Sequence, residues 1–335
     1  MRMTRHQYIE RDSGLSRDEP LFGDRFIRLM YHEVRENAPR LFQLLTSPRM
    51  TDILGYVNYD LPFGSGGTAC SRFLRQLNVD LSECLLPAAA LDTPRKIFER
   101  QIRYWECRPM PEQASAVVSP ADARVLVGSC RETSSLFIKD KFFTFDELLG
   151  GGGRPWLDAL RDGDFALFRL TPDKYHYNHC PVSGEVADVY EIDGAFNSCN
   201  PDAIVSVATP YSKNRRVVTI INTDVQGGTG VGLVAMIEVV ALMIGDIVQC
   251  YSEERYANPN RIARGMFLKK GQPKSLYRPG SSTDIVLFQK GRIDFARDLV
   301  ENQTRTDVVS RFSKGFGAPL VETDIQVRAL LANAR

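Results

Sequence analysis

Beyond Pro109-Met110-Pro111 the chain breaks into short β-rich stretches divided by turn residues, and this texture constrains the fold more than any other feature. The stretches are residues 116–118, 124–127, 136–138, 166–170, 186–192, 204–207, 216–221 and 285–288. Runs this short, bounded by turn formers, predict a compact and mostly antiparallel β domain. One helical turn interrupts them at Thr144-Phe-Asp-Glu147, a capping-box pattern that satisfies N–H groups at a helix start. The glycines of residues 150–153 end it.

Before the prolines the spacing is helical. From Asp24 the apolar residues Phe26, Ile27, Met30, Tyr31 and Val34 recur at three and four, and the pattern stops before Pro39. Ser47-Pro48 and Thr93-Pro94 each read as an N-cap followed by proline in the first helical position. The second opens a helix with Ile97, Phe98, Ile102 and Trp105 on one face. Arg95, Lys96, Arg100, Arg103 and Arg108 run along it. The expected class is α+β, with an N-terminal helical region (1–110) packed on a mostly antiparallel β catalytic domain (111–335). The helical region reads as a lid or as a surface that meets anionic lipid headgroups, with Phe26, Ile27 and Met30 inserting shallowly.

A net charge of +1 makes no case for nucleic acid, so an anionic partner must be met by a local patch. Seven cysteines, an odd number with no C-x-x-C, predict reduced thiols and a cytoplasmic setting. The polar opening MRMTRHQYIERDSG lacks the apolar core of a secretory signal. Residues 231–248, VGLVAMIEVVALMIGDIV, have the length of a membrane span but carry Glu238 and Asp246. Two buried strands joined by a tight bend are expected there.

Three short segments carry chemistry. His176 and His179 lie three apart in Tyr175-His-Tyr-Asn-His-Cys-Pro-Val-Ser-Gly184. With no H-E-x-x-H and no cysteine cluster beside them, a metal is the weaker reading. Pro279-Gly-Ser-Ser-Thr283 is a Gly/Ser turn entering a strand, and Ser119-Pro-Ala-Asp122 places a carboxylate in a turn. Asp, His and Ser spread over a β domain can meet as a nucleophilic triad, but spacing alone does not decide it.

Taken together and in this order, the three segments resemble the motifs of the phosphatidylserine decarboxylases. Those motifs are a Ser-Pro-x-Asp turn, a Tyr-His-x-x-His-x-Pro-x-x-Gly block and a Gly-Ser-Thr self-cleavage site. Lys270-Gly271, which opens the last block, and Phe288, at the family's distance from Thr283, extend the likeness to roughly residues 95–295. Two departures stand out. Counting back from Thr283 and Phe288 selects Ser282 as the processed serine, whereas the family's preference for a preceding glycine selects Ser281. Glu238, Val240 and Asp246 occupy a run that is glycine-rich and less acidic in the family, near a region that shapes the substrate site.

The resemblance implies a decarboxylase whose electron sink is a pyruvoyl group made from its own serine, Ser282 or alternatively Ser281. It implies that His179, oriented by Asp122, deprotonates that serine for attack on the preceding carbonyl, and that His176 serves the later decarboxylation. Cutting before Ser282 yields chains of residues 1–281 and 282–335 that stay associated; no metal is implied, and a homo-oligomer is compatible with the pattern. The expected substrate is phosphatidylserine, converted to phosphatidylethanolamine by a protein peripheral to the inner face of the membrane. The alternatives are a soluble decarboxylase of a free amino acid and a non-catalytic family member.

Overall fold

The computed structural model describes residues 5–21, 24–47, 74–75, 77–130, 142–151, 154–207, 209–242, 246–278 and 282–335. In chain order the strands are β1 (Gln7–Glu10), β2 (Ser16–Asp18), β3 (Ala116–Val118), β4 (Ala123–Ser129), β5 (Asp164–Leu170), β6 (Tyr177–His179), β7 (Gly184–Ile192) and β8 (Arg216–Asn222). They continue with β9 (Leu233–Val239), β10 (Ile247–Gln249), β11 (Phe267–Leu268), β12 (Pro273–Tyr277), β13 (Ser282–Phe288), β14 (Ile293–Phe295), β15 (Thr323–Ile325) and β16 (Leu330–Ala334). Ten of them form one sheet in the order β11-β7-β8-β9-β13-β5-β4-β15-β1-β2. Every neighbouring pair in it is antiparallel except β1 with β15. The two small sheets are β10-β12-β6 and β14-β16-β3.

Alternation along the central strands produces two apolar faces. On β13, Ile285 and Leu287 join Phe165, Leu167, Val218 and Ile220 under the helices Phe145–Leu149, Leu157–Leu160 and Arg311–Phe316. Val286 and Phe288 point the other way, into a core with Phe168, Leu170, Cys180, Tyr277 and Leu331 from beneath the small sheets. Each such side chain, fully buried, contributes about 1.5–3 kcal/mol. Both layers are needed, because the central strands of this sheet are apolar on both faces.

The N-terminus is tied into the sheet by a buried ion cluster. Arg169 on β5 meets Glu322 at 2.5 Å and Glu19 at 2.6 Å, and His6 lies 3.0 Å from Glu322. His6, Glu19 and Glu322 are close enough to share a metal ion, but the Arg169 guanidinium already supplies the compensating positive charge. The cluster joins both ends of the chain to β5, the strand whose Leu170 faces Ser282.

Several elements differ from expectation. The opening of the chain is strand, not helix, because β1 finds its partner some three hundred residues away in β15. Of residues 204–207, all but the C-cap Val207 belong to the helix Pro201–Ser206: the Asn200 side chain accepts from Asp202 N–H, and Pro201 opens the first turn. The helix beginning at Pro94 stops at Phe98, and a second, Tyr104–Cys107, follows. Arg100 explains the break, since its buried guanidinium turns inward to the carbonyls of Ile97 (3.0 Å) and Asp173 (2.8 Å). Residues 24–37 are helical as read, though part of the stretch is a π-helix, Leu29–Val34. The 231–248 run yields β9 and β10, which lie in different sheets. Among the described residues no helix is long and apolar enough to cross a membrane. The stretch 136–138, the caps of Ser47-Pro48 and Ser281 lie wholly or partly outside the described residues.

Candidate active site

The turn that carries Asp122 and the strand that carries His179 are stitched together through their backbones. His179 N–H donates to Pro120 O at 2.7 Å, and Val118 N–H donates to Pro181 O at 3.0 Å. β6 also pairs with β12, where His179 faces Pro273, and the His179 amide turns to the Pro120 carbonyl. Two segments more than fifty residues apart thus share one corner.

His179 is fully buried. Its Nδ1 lies 2.9 Å from Gly271 O and its Nε2 lies 3.0 Å from the Tyr175 hydroxyl. A carbonyl only accepts, so Nδ1 carries the hydrogen and Nε2 keeps its lone pair. Burial is the main influence that lowers its pKa to about 3, with the Gly271 carbonyl pulling the other way. The ring is therefore neutral at ordinary pH and able to act as a base. Gly271 holds this partner in place at φ +76°, where a Cβ would meet the Met110 sulfur at 2.5 Å. Lys270, just before it, donates to the carbonyls of Gln113, Ala114 and Ala116.

Asp122 is buried too, but its partners are Arg108 (2.8 Å) and the Val327 N–H (2.7 Å), not His179. Burial opposes ionisation, yet the Arg108 charge and its hydrogen bonds outweigh it and hold the carboxyl below its usual range. Arg108 is shared with Glu83 at 2.7 Å. His176 packs on Phe98 with ring centroids 3.8 Å apart, and neither ring nitrogen makes a well-formed hydrogen bond. Burial and then the Arg100 charge lower its pKa to about 3. Ser282 opens β13 opposite Leu170, is fully buried, and its Oγ has no hydrogen-bond partner among the described residues.

The profile of the family described as phosphatidylserine decarboxylase matches residues 95–313. The chain belongs to the phosphatidylserine decarboxylase family. With that family it takes its place among the carboxy-lyases. It is 25% identical over 316 residues to a phosphatidylserine decarboxylase proenzyme of Fusobacterium nucleatum, covering 94% of this chain and 97% of the relative. A Bordetella petrii proenzyme of the same description is 30% identical over 67% of this chain and 78% of its own. Phosphatidylserine decarboxylase proenzyme 2 of Oryza sativa is 33% identical over 70% of this chain, which spans only 35% of that longer relative.

The decarboxylase motifs do not account for a second polar group beside Ser282. Asp284, two residues along the same face of β13, sits directly across from Glu238 on β9, and both are fully buried. Glu238 accepts from Lys274 (2.7 Å), Gln249 (2.8 Å) and Ser275. Asp284 Oδ1 lies 2.7 Å from the Tyr277 hydroxyl, which also meets Thr283 O at 3.0 Å. Tyr277 has one hydrogen for two oxygens. Both contacts are met when it donates to the carbonyl and Asp284 supplies the other hydrogen as a neutral acid. Burial, then the Glu238 charge, raises the Asp284 pKa well above the usual range, in agreement. Reading the sequence singled out Glu238 and counted Arg108 in a basic surface, but missed Asp284, Lys274 and Tyr277. The available signal was a lysine and an aspartate set into otherwise strand-like apolar stretches.

Proposed function

We propose that the chain is a proenzyme that cuts itself before Ser282 and then, as a pyruvoyl enzyme, converts phosphatidylserine to phosphatidylethanolamine and CO2. The observation that carries this reading is the Ser282 hydroxyl, buried at the start of a central strand with no partner among the described residues. An unpartnered buried hydroxyl costs about 1–3 kcal/mol, and a reactive role gives a reason to keep it. The position suits a pyruvoyl group: the cut falls ahead of β13, which keeps its hydrogen bonds to β9 and β5. Residues 282–335 therefore stay woven into the sheet after cleavage.

Neutral His179 takes the serine hydrogen at Nε2, and the serine oxygen attacks the carbonyl of residue 281. Asp122 acts through the Arg108 pair, which fixes the turn holding the His179 amide. The pyruvoyl group supplies the electron sink for loss of CO2. His176, tilted against the Phe98 ring, is the residue assigned to the substrate at that stage.

A lipid substrate draws support from exposed Phe26, Leu29, Leu41 and Leu44 on the helical stretch of residues 24–45, beside exposed Arg25 and Arg40. Of the residues expected at such a surface, Phe26 is exposed and the others fit it less well. Ile27 and Met30 are core residues, Arg100 is buried, and Arg95, Lys96 and Arg103 pair with Glu99, Asp92 and Glu106.

Mass spectrometry of the purified protein tests self-cleavage. Fragments of residues 1–281 and 282–335, the smaller blocked to Edman sequencing by a ketone, are expected, and an intact chain after long incubation rejects the reading. A cut before Ser281 instead moves the assignment by one residue. Flotation with anionic liposomes, together with CO2 release from phosphatidylserine, tests the substrate. No flotation at low salt with CO2 release from a free amino acid favours the soluble alternative.

A further inference from the structure

His179 belongs to a hydrogen-bonded chain that links the motif residue Tyr175 to Tyr256, a residue outside the motifs. From Nε2 it runs 3.0 Å to the Tyr175 hydroxyl, then 2.7 Å to the Tyr256 hydroxyl, then 2.9 Å to the carbonyl of Ile102. The far side of the ring meets Gly271 O at 2.9 Å, and Ile102 N–H donates to Tyr256 at 3.2 Å. Tyr175 is fully buried, and Tyr256 is packed against Tyr104 and Tyr177.

Counting hydrogens reveals its character. Both ends are carbonyls, which only accept, so the four contacts between them need four hydrogens. With His179 neutral there are three: one on Nδ1 and one on each tyrosine. Tyr256 gives its hydrogen to Ile102 O, so the single Tyr175 hydrogen serves either Tyr256 or His179 Nε2, and one of those two contacts goes without. A fourth hydrogen, on Nε2, completes the chain.

We propose that Tyr175 and Tyr256 are positioning residues for self-cleavage, forming a hydroxyl chain one hydrogen short that holds His179 as the Nδ1–H tautomer and stabilises its imidazolium. The inference rests on the self-cleavage reading above. In the step it serves, the Ser282 hydrogen passes to His179 Nε2 as the serine oxygen forms its bond to the carbonyl carbon of residue 281, and the C=O π pair moves onto the carbonyl oxygen as an oxyanion that balances the imidazolium. The new N–H then donates to Tyr175, and no hydrogen leaves the chain. Burial works against a charged imidazole here, so a partner favouring that charge speeds the transfer. The other charged or titratable groups acting on the ring are Asp122, Arg108 and Arg328, with Tyr104 edge-on at 4.7 Å.

The test is the rate of chain cutting against pH in full-length protein, followed on denaturing gels, for wild type, Tyr175→Phe and Tyr256→Phe. Tyr256→Phe also loses the tie to Ile102, whereas Tyr175→Phe cuts the chain and leaves that tie intact. Both variants are expected to cut roughly 10- to 100-fold more slowly, the effect of losing one hydrogen bond to a charged group. In both, the acid limb of the profile is expected to move to lower pH, because the imidazolium has lost support. Wild-type rates in either variant overturn the proposal, and so does a slower rate with an unmoved acid limb, the mark of a purely structural effect. A wild-type chain that never cuts rejects self-cleavage itself, a separate outcome.

Discussion

Asp122 and Arg108 form a buried fork in which both carboxylate oxygens meet the guanidinium, at 2.8 to 3.3 Å. This pair, rather than a bond to His179, satisfies the carboxylate, and Val327 N–H completes it. Asp122→Asn leaves Arg108 with Glu83 alone. It is expected to lower stability by about 3–5 kcal/mol, the usual cost of breaking a buried pair, and to slow chain cutting. Arg108→Gln is expected to do the same, because the pair holds the turn as a unit. Urea unfolding and a gel time course measure both. If Arg108→Gln cuts at the wild-type rate while Asp122→Asn does not, the carboxylate acts on His179 through its charge.

The two histidines are expected to separate by stage. His179→Ala should leave the chain whole, since the neutral base is gone. His176→Ala should still yield both fragments and a carbonyl that reacts with hydrazines, yet release no CO2. Equal maturation of His179→Ala and wild type would falsify the assignment of the base.

Acid should loosen the junction between the chain ends and β5. Burial opposes ionisation of Glu322, but the Arg169 charge and the bonds from His6 and Arg169 win and lower its pKa to about 2, from 4.5 when unfolded. The folded value is the lower one. The stabilisation is therefore complete above pH 4.5 and is lost as pH falls from 4.5 towards 2. It amounts to about 3 kcal/mol at one pKa unit per 1.36 kcal/mol. Urea unfolding of the uncut Ser282→Ala chain at several pH values checks this. Glu322→Gln should be less stable at neutral pH and flatter across the acid range.

Asp284 and Glu238 face each other as a neutral acid and a charged one, so their amides should behave differently. Asp284→Asn keeps an N–H for Tyr277 and is expected to cost less than about 1 kcal/mol. Glu238→Gln leaves the fully buried Lys274 ammonium without its counter-charge and is expected to cost about 3–5 kcal/mol. Equal losses in urea unfolding of the Ser282→Ala chain would show that Asp284 is ionised.

Local signals in the sequence reached as far as local physics does. Helical spacing from Asp24, the Thr93 cap, the Gly150 stop and most of the short strands follow from rotamers, caps and turns within a few residues. The motif residues were legible one by one for the same reason, since each sits in a turn or strand whose chemistry is local. What lay beyond reach was set by pairing across the chain. β1 became a strand because β15 offered it an edge, and residues 204–206 became helix because Asn200 and Pro201 started one against buried Ala203 and Ile204. Arg100 ended its helix by reaching a carbonyl at Asp173. Only register between β9 and β13 placed Glu238 against Asp284, and only the pairing of β6 with β12 brought Gly271 to His179. Burial then decided which of these groups carries a proton, because charge is costly where water is absent, and a linear sequence does not record which side chains lose their water.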